Sequence, residues 1–265
     1  MPTSTTNVNV ERLDGGVAVV TLNRPDAMNA LSVDLVRELG TAFGDLEQAG
    51  AHAAVLTGEG RCFCAGADLA LVRSALEGDP AAVLAPLVDN LHQTLRVVRR
   101  LPFPIVAAVE GPAVGAGMGL ALAADLRVAS ESAQLVPGYL AIGASPDGGV
   151  SYALTRALGG ARALSLILRN RALFADELVA LGLAEEVVPK GQATERAIEL
   201  AHSVAGTPPM ALLRTRALVD RATVNDLDQQ LDLERELVSQ LWETHDFPEG
   251  VRAFLEKRTP TFEGK

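Results

Sequence analysis

A chain of 265 residues with 48% hydrophobic content can bury a full core, which excludes a disordered tail. Its formal net charge of -10 excludes a general nucleic-acid surface, which needs a clustered basic face, so an anionic ligand must be met by a few local arginines or by backbone N–H groups. Residues 1–6 lack the basic flank and apolar stretch of a signal peptide, and no apolar run reaches the ~20 residues of a membrane span, which predicts a cytoplasmic protein with no membrane partner.

Val8 to Arg12 and Val17 to Leu22 flank Asp14-Gly15-Gly16 and predict a hairpin, which Asn23-Arg24-Pro25-Asp26 ends. Ser32 is placed to cap a helix through about Gln48, with Leu35, Val36, Leu39, Phe43 and Leu46 at helical spacing. A strand follows at Ala53 to Thr57. Asp79-Pro80 joins an N-cap to a proline at the first helical position, and Val83, Leu84, Leu87, Val88, Leu91, Leu95 and Val98 carry the apolar stripe to Arg100. A second apolar strand, Ile105 to Val109, precedes a Gly-rich turn, a helix through Ala124 and a strand at Leu126 to Ala129. This alternation predicts an α/β protein, a parallel sheet or right-handed β-α superhelix with helices packed outside. Past Gln192 the strand pattern stops and four amphipathic helices are expected, at 192–204, 209–221, 225–244 and 248–257.

Two Ala/Gly segments carry the chemistry: Phe63-Cys64-Ala65-Gly66-Ala67-Asp68 and Gly115-Ala116-Gly117-Met118-Gly119. Each follows an apolar strand and runs toward a helix. Small side chains let a ligand approach the backbone, and N–H groups at a helix start carry a partial positive charge. Two of them aimed at one oxygen make an oxyanion hole, which points to carbonyl chemistry. The same composition also marks tight helix packing. Cys62 and Cys64 sit two apart in a strand-like context, too close for an unstrained disulfide, and His52, His92, His202 and His245 are scattered, so no metal site is expected.

With these residues in view the chain resembles the enoyl-CoA hydratase/isomerase, or crotonase, superfamily. The resemblance rests on Thr21-Leu22-Asn23-Arg24-Pro25 through Met28-Asn29-Ala30-Leu31, on Gly60 through Leu69, on Ala107 through Asp125, and on the tail Glu249 through Arg258. It implies a crotonase-like spiral of β-β-α units over residues 1–195 and an α-helical trimerisation region over 196–265. It also implies an acyl-CoA thioester as substrate, with coenzyme A entering only as part of it, no separate cofactor, and a homotrimer or dimer of trimers. The oxyanion donors fall on the N–H groups of Ala67 and Ala116. Arg24 falls where the family meets CoA phosphates, Ala65, Asp68 and Leu69 border the adenine pocket, and Lys257 reaches the nucleotide of a neighbouring subunit. Arg24 and Lys257 equally fit plain solvated cations.

The family varies its acid/base groups, and here the pattern departs. Two-glutamate hydratases carry glutamates at places that align with Gly119 and Tyr139. Glycine holds no proton, and a tyrosine with its ordinary pKa near ~10 is a poor base at neutral pH. Asp147 is the carboxylate that remains, at a place where some superfamily isomerases move a proton between the two ends of an enoyl-CoA; the same residue also suits a helix cap for Val150 to Leu158. The expected reaction is therefore enoyl-CoA isomerisation, with hydration the close alternative. His92 with Asp147 fits a 4-chlorobenzoyl-CoA dehalogenase-like hydrolysis, although the chain is only 4% aromatic where such a pocket wants rings. A catalytically silent acyl-CoA-binding protein is the alternative from another class. Glu59, Glu77 and Glu131 read as solvated surface groups, and Arg61 as decoration of a turn.

Overall fold

The computed structural model describes residues 6–265, so the leader reading of residues 1–6 falls, except for Thr6, outside the described residues. Strands β1 (Val8–Arg12) and β2 (Val17–Leu22) pair antiparallel around a short 3-10 turn at Asp14–Gly16. From β2 the sheet continues in parallel through β3 (Ala53–Gly58), β4 (Ile105–Val109), β6 (Leu126–Ser130) and β9 (Glu186–Val188), in the order β1-β2-β3-β4-β6-β9. Every residue of β3 and β4 is buried, as continuous apolar strands covered on both faces must be.

A second, smaller sheet joins β5 (Pro112–Val114), β7 (Gln134–Val136) and β8 (Leu173–Phe174). Isolated bridges Leu31↔Ala67 and Cys64↔Ala113 extend it sideways. After each of β2, β3, β4 and β6 the chain thus steps from the large sheet into this second layer before returning. That stepping is the spiral of β-β-α turns. The two- and three-residue strands of the layer escape sequence reading because they are too short to show a period.

Helix α1 (Val33–Gln48) starts where predicted, with Ser32 Oγ accepting from Leu35 N–H at 3.2 Å, and its apolar stripe is buried. Helix α2 (Leu69–Leu76) precedes α3 (Pro80–Arg100), which starts where predicted; Asp68 and Asp79 cap them through Ala70 and Ala81 N–H. Next come α4 (Ala116–Ala123), α5 (Val150–Leu158), α6 (Gly160–Leu168) and α7 (Ala175–Ala180). The main core lies between one sheet face and helices including α1, α3 and α4. The other face is covered by α8 (Ala193–Val204), whose Ala193, Ala197 and Ala201 repeat every four residues and let the helix lie close to Val17, Val55 and Val106. The boundary predicted at 195/196 falls inside this helix.

The last three helices are α9 (Pro209–Arg221), α10 (Leu227–Trp242) and α11 (Asp246–Glu256), close to their predicted limits. Arg216 on α9 fastens them to the sheet. Its guanidinium donates to both oxygens of Asp125, at 2.8 and 2.5 Å, and to the carbonyls of Leu101 and Phe103. The tail folds back over α11: Asp246 accepts from Glu263 and Gly264 N–H, and Glu249 accepts from Arg258 and Thr261 N–H. The Arg258 hydrogen bond and then the Thr261 N–H hold the Glu249 carboxyl down to about 2. No helix of the described residues is long and apolar enough to cross a membrane.

Candidate active site

The second sheet layer brings the two Ala/Gly segments together. Gly66 O accepts from Leu31 N–H (2.7 Å), Cys64 N–H donates to Pro112 O (3.2 Å), and Val114 N–H donates to Cys64 O (2.9 Å). At the end of this ladder Gly115 takes φ 54 and ψ -121, a conformation essentially confined to glycine, and α4 begins at Ala116. A Cβ on Gly66 would lie 3.8 Å from Ala116 N, and one on Gly117 would run into the Cys64 carbonyl. The segments touch backbone to backbone, which is why both are built from small residues. Neither the Ala67 nor the Ala116 N–H has a protein acceptor among the described residues. Ala67 remains partly exposed, while Ala116 is buried at the first turn of its helix.

The cysteines between these elements are not on a regular strand, contrary to expectation; only the single bridge at Cys64 involves them. Both are free and buried, and Cys62 Sγ donates to Pro112 O. Burial pushes the Cys64 thiol up to about 12 and raises that of Cys62, so both stay protonated packing groups at neutral pH.

Gly119 is filled rather than empty. A Cβ at this position would collide with the carbonyl oxygen and carbon of Gly148, so the backbone of the 147–149 turn occupies the space a glutamate side chain would leave through. Asp147, the neighbouring residue, does not cap α5 with its side chain. Gly149 is the N-cap, and Asp147 contributes only its backbone carbonyl to Val150 N–H (3.1 Å). The Asp147 carboxylate instead accepts the Tyr139 hydroxyl at 3.0 Å, and the Asp147 carbonyl accepts the same hydroxyl at 3.1 Å. Tyr139 is buried, its ring beside Gly115. Burial first, then the adjacent Asp147 carboxylate, raises the phenol well above its ordinary value. At neutral pH Tyr139 is a fixed donor that orients Asp147.

His92 is half-buried on α3 and makes no side-chain hydrogen bond to Asp147 or to another of the described residues. Glu59, Glu77 and Glu131 are exposed.

A cavity of about 600 Å³ opens beside Ala67 and is lined by Ala65, Asp68 and Leu69, together with Met28 and Arg61. Leu69 is 73% exposed, an apolar group left free at its edge. Arg24 is already committed: one guanidinium nitrogen pairs with Asp68 at 2.8 Å and another donates to Ala30 O. Burial disfavours the Asp68 charge, but hydrogen bonds from Arg24 and Ala70 N–H outweigh it and hold the carboxyl below its usual range. Arg61, taken from sequence as decoration, lines the cavity with no carboxylate partner among the described residues. That placement is not legible in sequence because it depends on which turn the cavity opens against. Lys257 is exposed and left-handed (φ 55) at the C-cap of α11, outside this cavity's lining.

The family model for enoyl-CoA hydratase/isomerase matches residues 12–265. A Rhodobacter capsulatus protein named "Probable enoyl-CoA hydratase" is 39% identical over 94% of this chain and 95% of its own length. The 1,2-epoxyphenylacetyl-CoA isomerase of Escherichia coli is 36% identical over 97% and 98% of the two chains. Among solved structures, an enoyl-CoA hydratase from a Polaromonas species superposes with a TM-score of 0.90 at 35% identity, covering 97% of this chain and 99% of that one. With the spiral of β-β-α turns and the paired Ala/Gly segments already in place, the chain belongs to the enoyl-CoA hydratase/isomerase family and is an acyl-CoA enzyme of the crotonase fold.

Proposed function

We propose that this enzyme moves the double bond of an enoyl-CoA, with Asp147 as its proton carrier and the Ala67 and Ala116 N–H groups as its oxyanion hole. The reading is carried by the Gly119–Gly148 contact, which leaves no room for a first glutamate beside Ala116 and puts Asp147 next to the space. The Asp147 carboxylate removes a proton from the carbon next to the thioester carbonyl of a 3-enoyl-CoA. The electron pair spreads onto the carbonyl oxygen, and the two N–H groups hold the charge that develops there. The same carboxyl returns the proton to the far end of the delocalised system, so the double bond shifts and no water is consumed. One carboxylate is enough. Hydration needs a second group to handle water, and Tyr139, protonated and bound to Asp147, is poorly suited to it. The Escherichia coli relative is named as an isomerase of an epoxide CoA thioester, which supports isomerisation of a CoA thioester as a class and not the double-bond shift itself; the hydratase names of others keep hydration as the second reading.

Coenzyme A enters as part of the substrate, along the cavity lined by Ala65, Asp68 and Leu69, with Arg61 rather than the paired Arg24 free for its phosphates. The test is incubation with 3-enoyl- and 2-enoyl-CoA esters, followed by mass spectrometry and NMR. Isomerisation leaves the mass unchanged and relocates the double bond; a product heavier by one water makes the enzyme a hydratase. Bound esters with no product anywhere would mean a silent acyl-CoA-binding protein.

The homotrimer is proposed on the family resemblance and on the exposed apolar side chains of the C-terminal helices, Leu231, Trp242, Phe247, Val251 and Phe254 among them. Light scattering on the eluting protein should give three times the chain mass or a multiple of it. A monomer at working concentration would contradict it.

A further inference from the structure

We infer that Asn170 is a positioning residue for the reaction, acting through the 138–139 backbone on the Tyr139–Asp147 pair; this inference rests on the proposed role of Asp147. Asn170 lies just past α6, where the helix ends in a Schellman motif: its N–H donates to Ile167 O at 3.0 Å and Arg171 N–H donates to Leu166 O at 3.1 Å. The position between those two bonds is left-handed, and Asn170 adopts it with φ 46. Glycine is the residue such a position favours, so for helix termination alone an asparagine is the poorer choice.

The side chain explains the choice. Asn170 Oδ1 accepts from the N–H of Gly138 at 2.7 Å, across 32 residues of sequence. Gly138 is itself left-handed (φ 78), and the next residue is Tyr139. Gly115 N–H, in turn, donates to Val136 O at 2.8 Å, so the 136–139 segment is held on one side by the oxyanion turn and on the other by Asn170. Tyr139 leaves this clamped segment with its ring beside Gly115 and its hydroxyl on Asp147. The chain of contacts runs Asn170 to Gly138, Tyr139 and Asp147, and each link is a hydrogen bond or a peptide bond. Without the Asn170 acceptor the Gly138 N–H loses its partner, the backbone entering Tyr139 is held only on its far side, where Tyr139 O accepts from Ile142 and Ala144 N–H, and the Tyr139 hydroxyl no longer holds the carboxylate in one place. A misplacement of about 1 Å at a reacting group is enough to cost on the order of 100-fold in rate.

Asn170→Gly separates this role from a structural one, because glycine suits the left-handed backbone better than asparagine does while removing the acceptor. The variant is expected to keep the wild-type melting temperature and the wild-type KM, with kcat down by about 10- to 100-fold. Asn170→Asp keeps an acceptor oxygen at the same place in a residue that also tolerates this backbone, and is expected to restore most of kcat. Wild-type kcat in the glycine variant overturns the inference. So does a loss of kcat matched by a loss of folded protein, or an aspartate variant as slow as the glycine one. Asp147→Asn is assayed beside them with the same substrate. If it is inactive while Asn170→Gly is fully active, the positioning role fails alone; if Asp147→Asn is itself fully active, the reading beneath it fails.

Discussion

Asp147→Asn is expected to reduce turnover by about 1,000-fold or more while acyl-CoA affinity stays near wild type, measured as steady-state kinetics on an enoyl-CoA ester beside calorimetric titration with a saturated acyl-CoA. The carboxamide has the shape of the carboxylate and keeps an oxygen facing the Tyr139 hydroxyl, so the turn that packs against Gly119 should be undisturbed. What disappears is the ability to accept a proton and give it back. The N–H groups of Ala67 and Ala116, proposed as the oxyanion hole, belong to the backbone and remain, which is why binding should survive. Full activity in this variant would remove Asp147 from the chemistry. Should Tyr139→Phe silence the enzyme while Asp147→Asn does not, the acid/base role would pass to the phenol.

The second large effect concerns stability. Arg216→Met is expected to cost about 3 kcal/mol or more, seen as a melting temperature lower by roughly 6–12 °C. Arg216 is one of the few buried charged residues among those described, and its guanidinium makes four hydrogen bonds, two to Asp125 and one each to the carbonyls of Leu101 and Phe103. Methionine fills most of the volume but leaves two carbonyls without a donor and the Asp125 carboxylate with only the Ile105 N–H and a distant Arg99. Breaking one side of a buried pair is costly because the other charge stays behind. Asp125→Asn in the same background should recover part of the loss. A single variant that melts within about 2 °C of wild type would show that this network does not hold α9 to the sheet.

Local signals account for much of what was read correctly. The caps at Ser32 and Asp79, the apolar period of α1 and α3, and the continuous strands Ala53–Gly58 and Ile105–Val109 are properties of neighbouring residues, and they appear where the sequence puts them. The strands of the second layer were not legible. Pro112–Val114 and Gln134–Val136 are three residues long and exist only because they pair with each other and lie beside Cys64 and Leu173, partners contributed from elsewhere along the chain. The candidate site divides in the same way. Small residues announced that two backbones approach a ligand or each other, and the fold brings them together. Arg24 and Arg61 look alike in sequence, and only the folded chain shows that Asp68 pairs with the first and that the second lines the cavity.

By itself the sequence determined the family, the α/β class, the two Ala/Gly segments and the missing glutamate at Gly119, all of which are written in residue identity and short-range spacing. Only the tertiary structure decided what occupies that place instead. The Gly148 carbonyl fills its exit, Tyr139 binds Asp147, and Asn170 anchors the segment that carries Tyr139. Each is a contact between groups that no periodicity links. A hydrogen bond requires its partners within about 3 Å, and the sequence encodes that distance only through the packing of the whole chain.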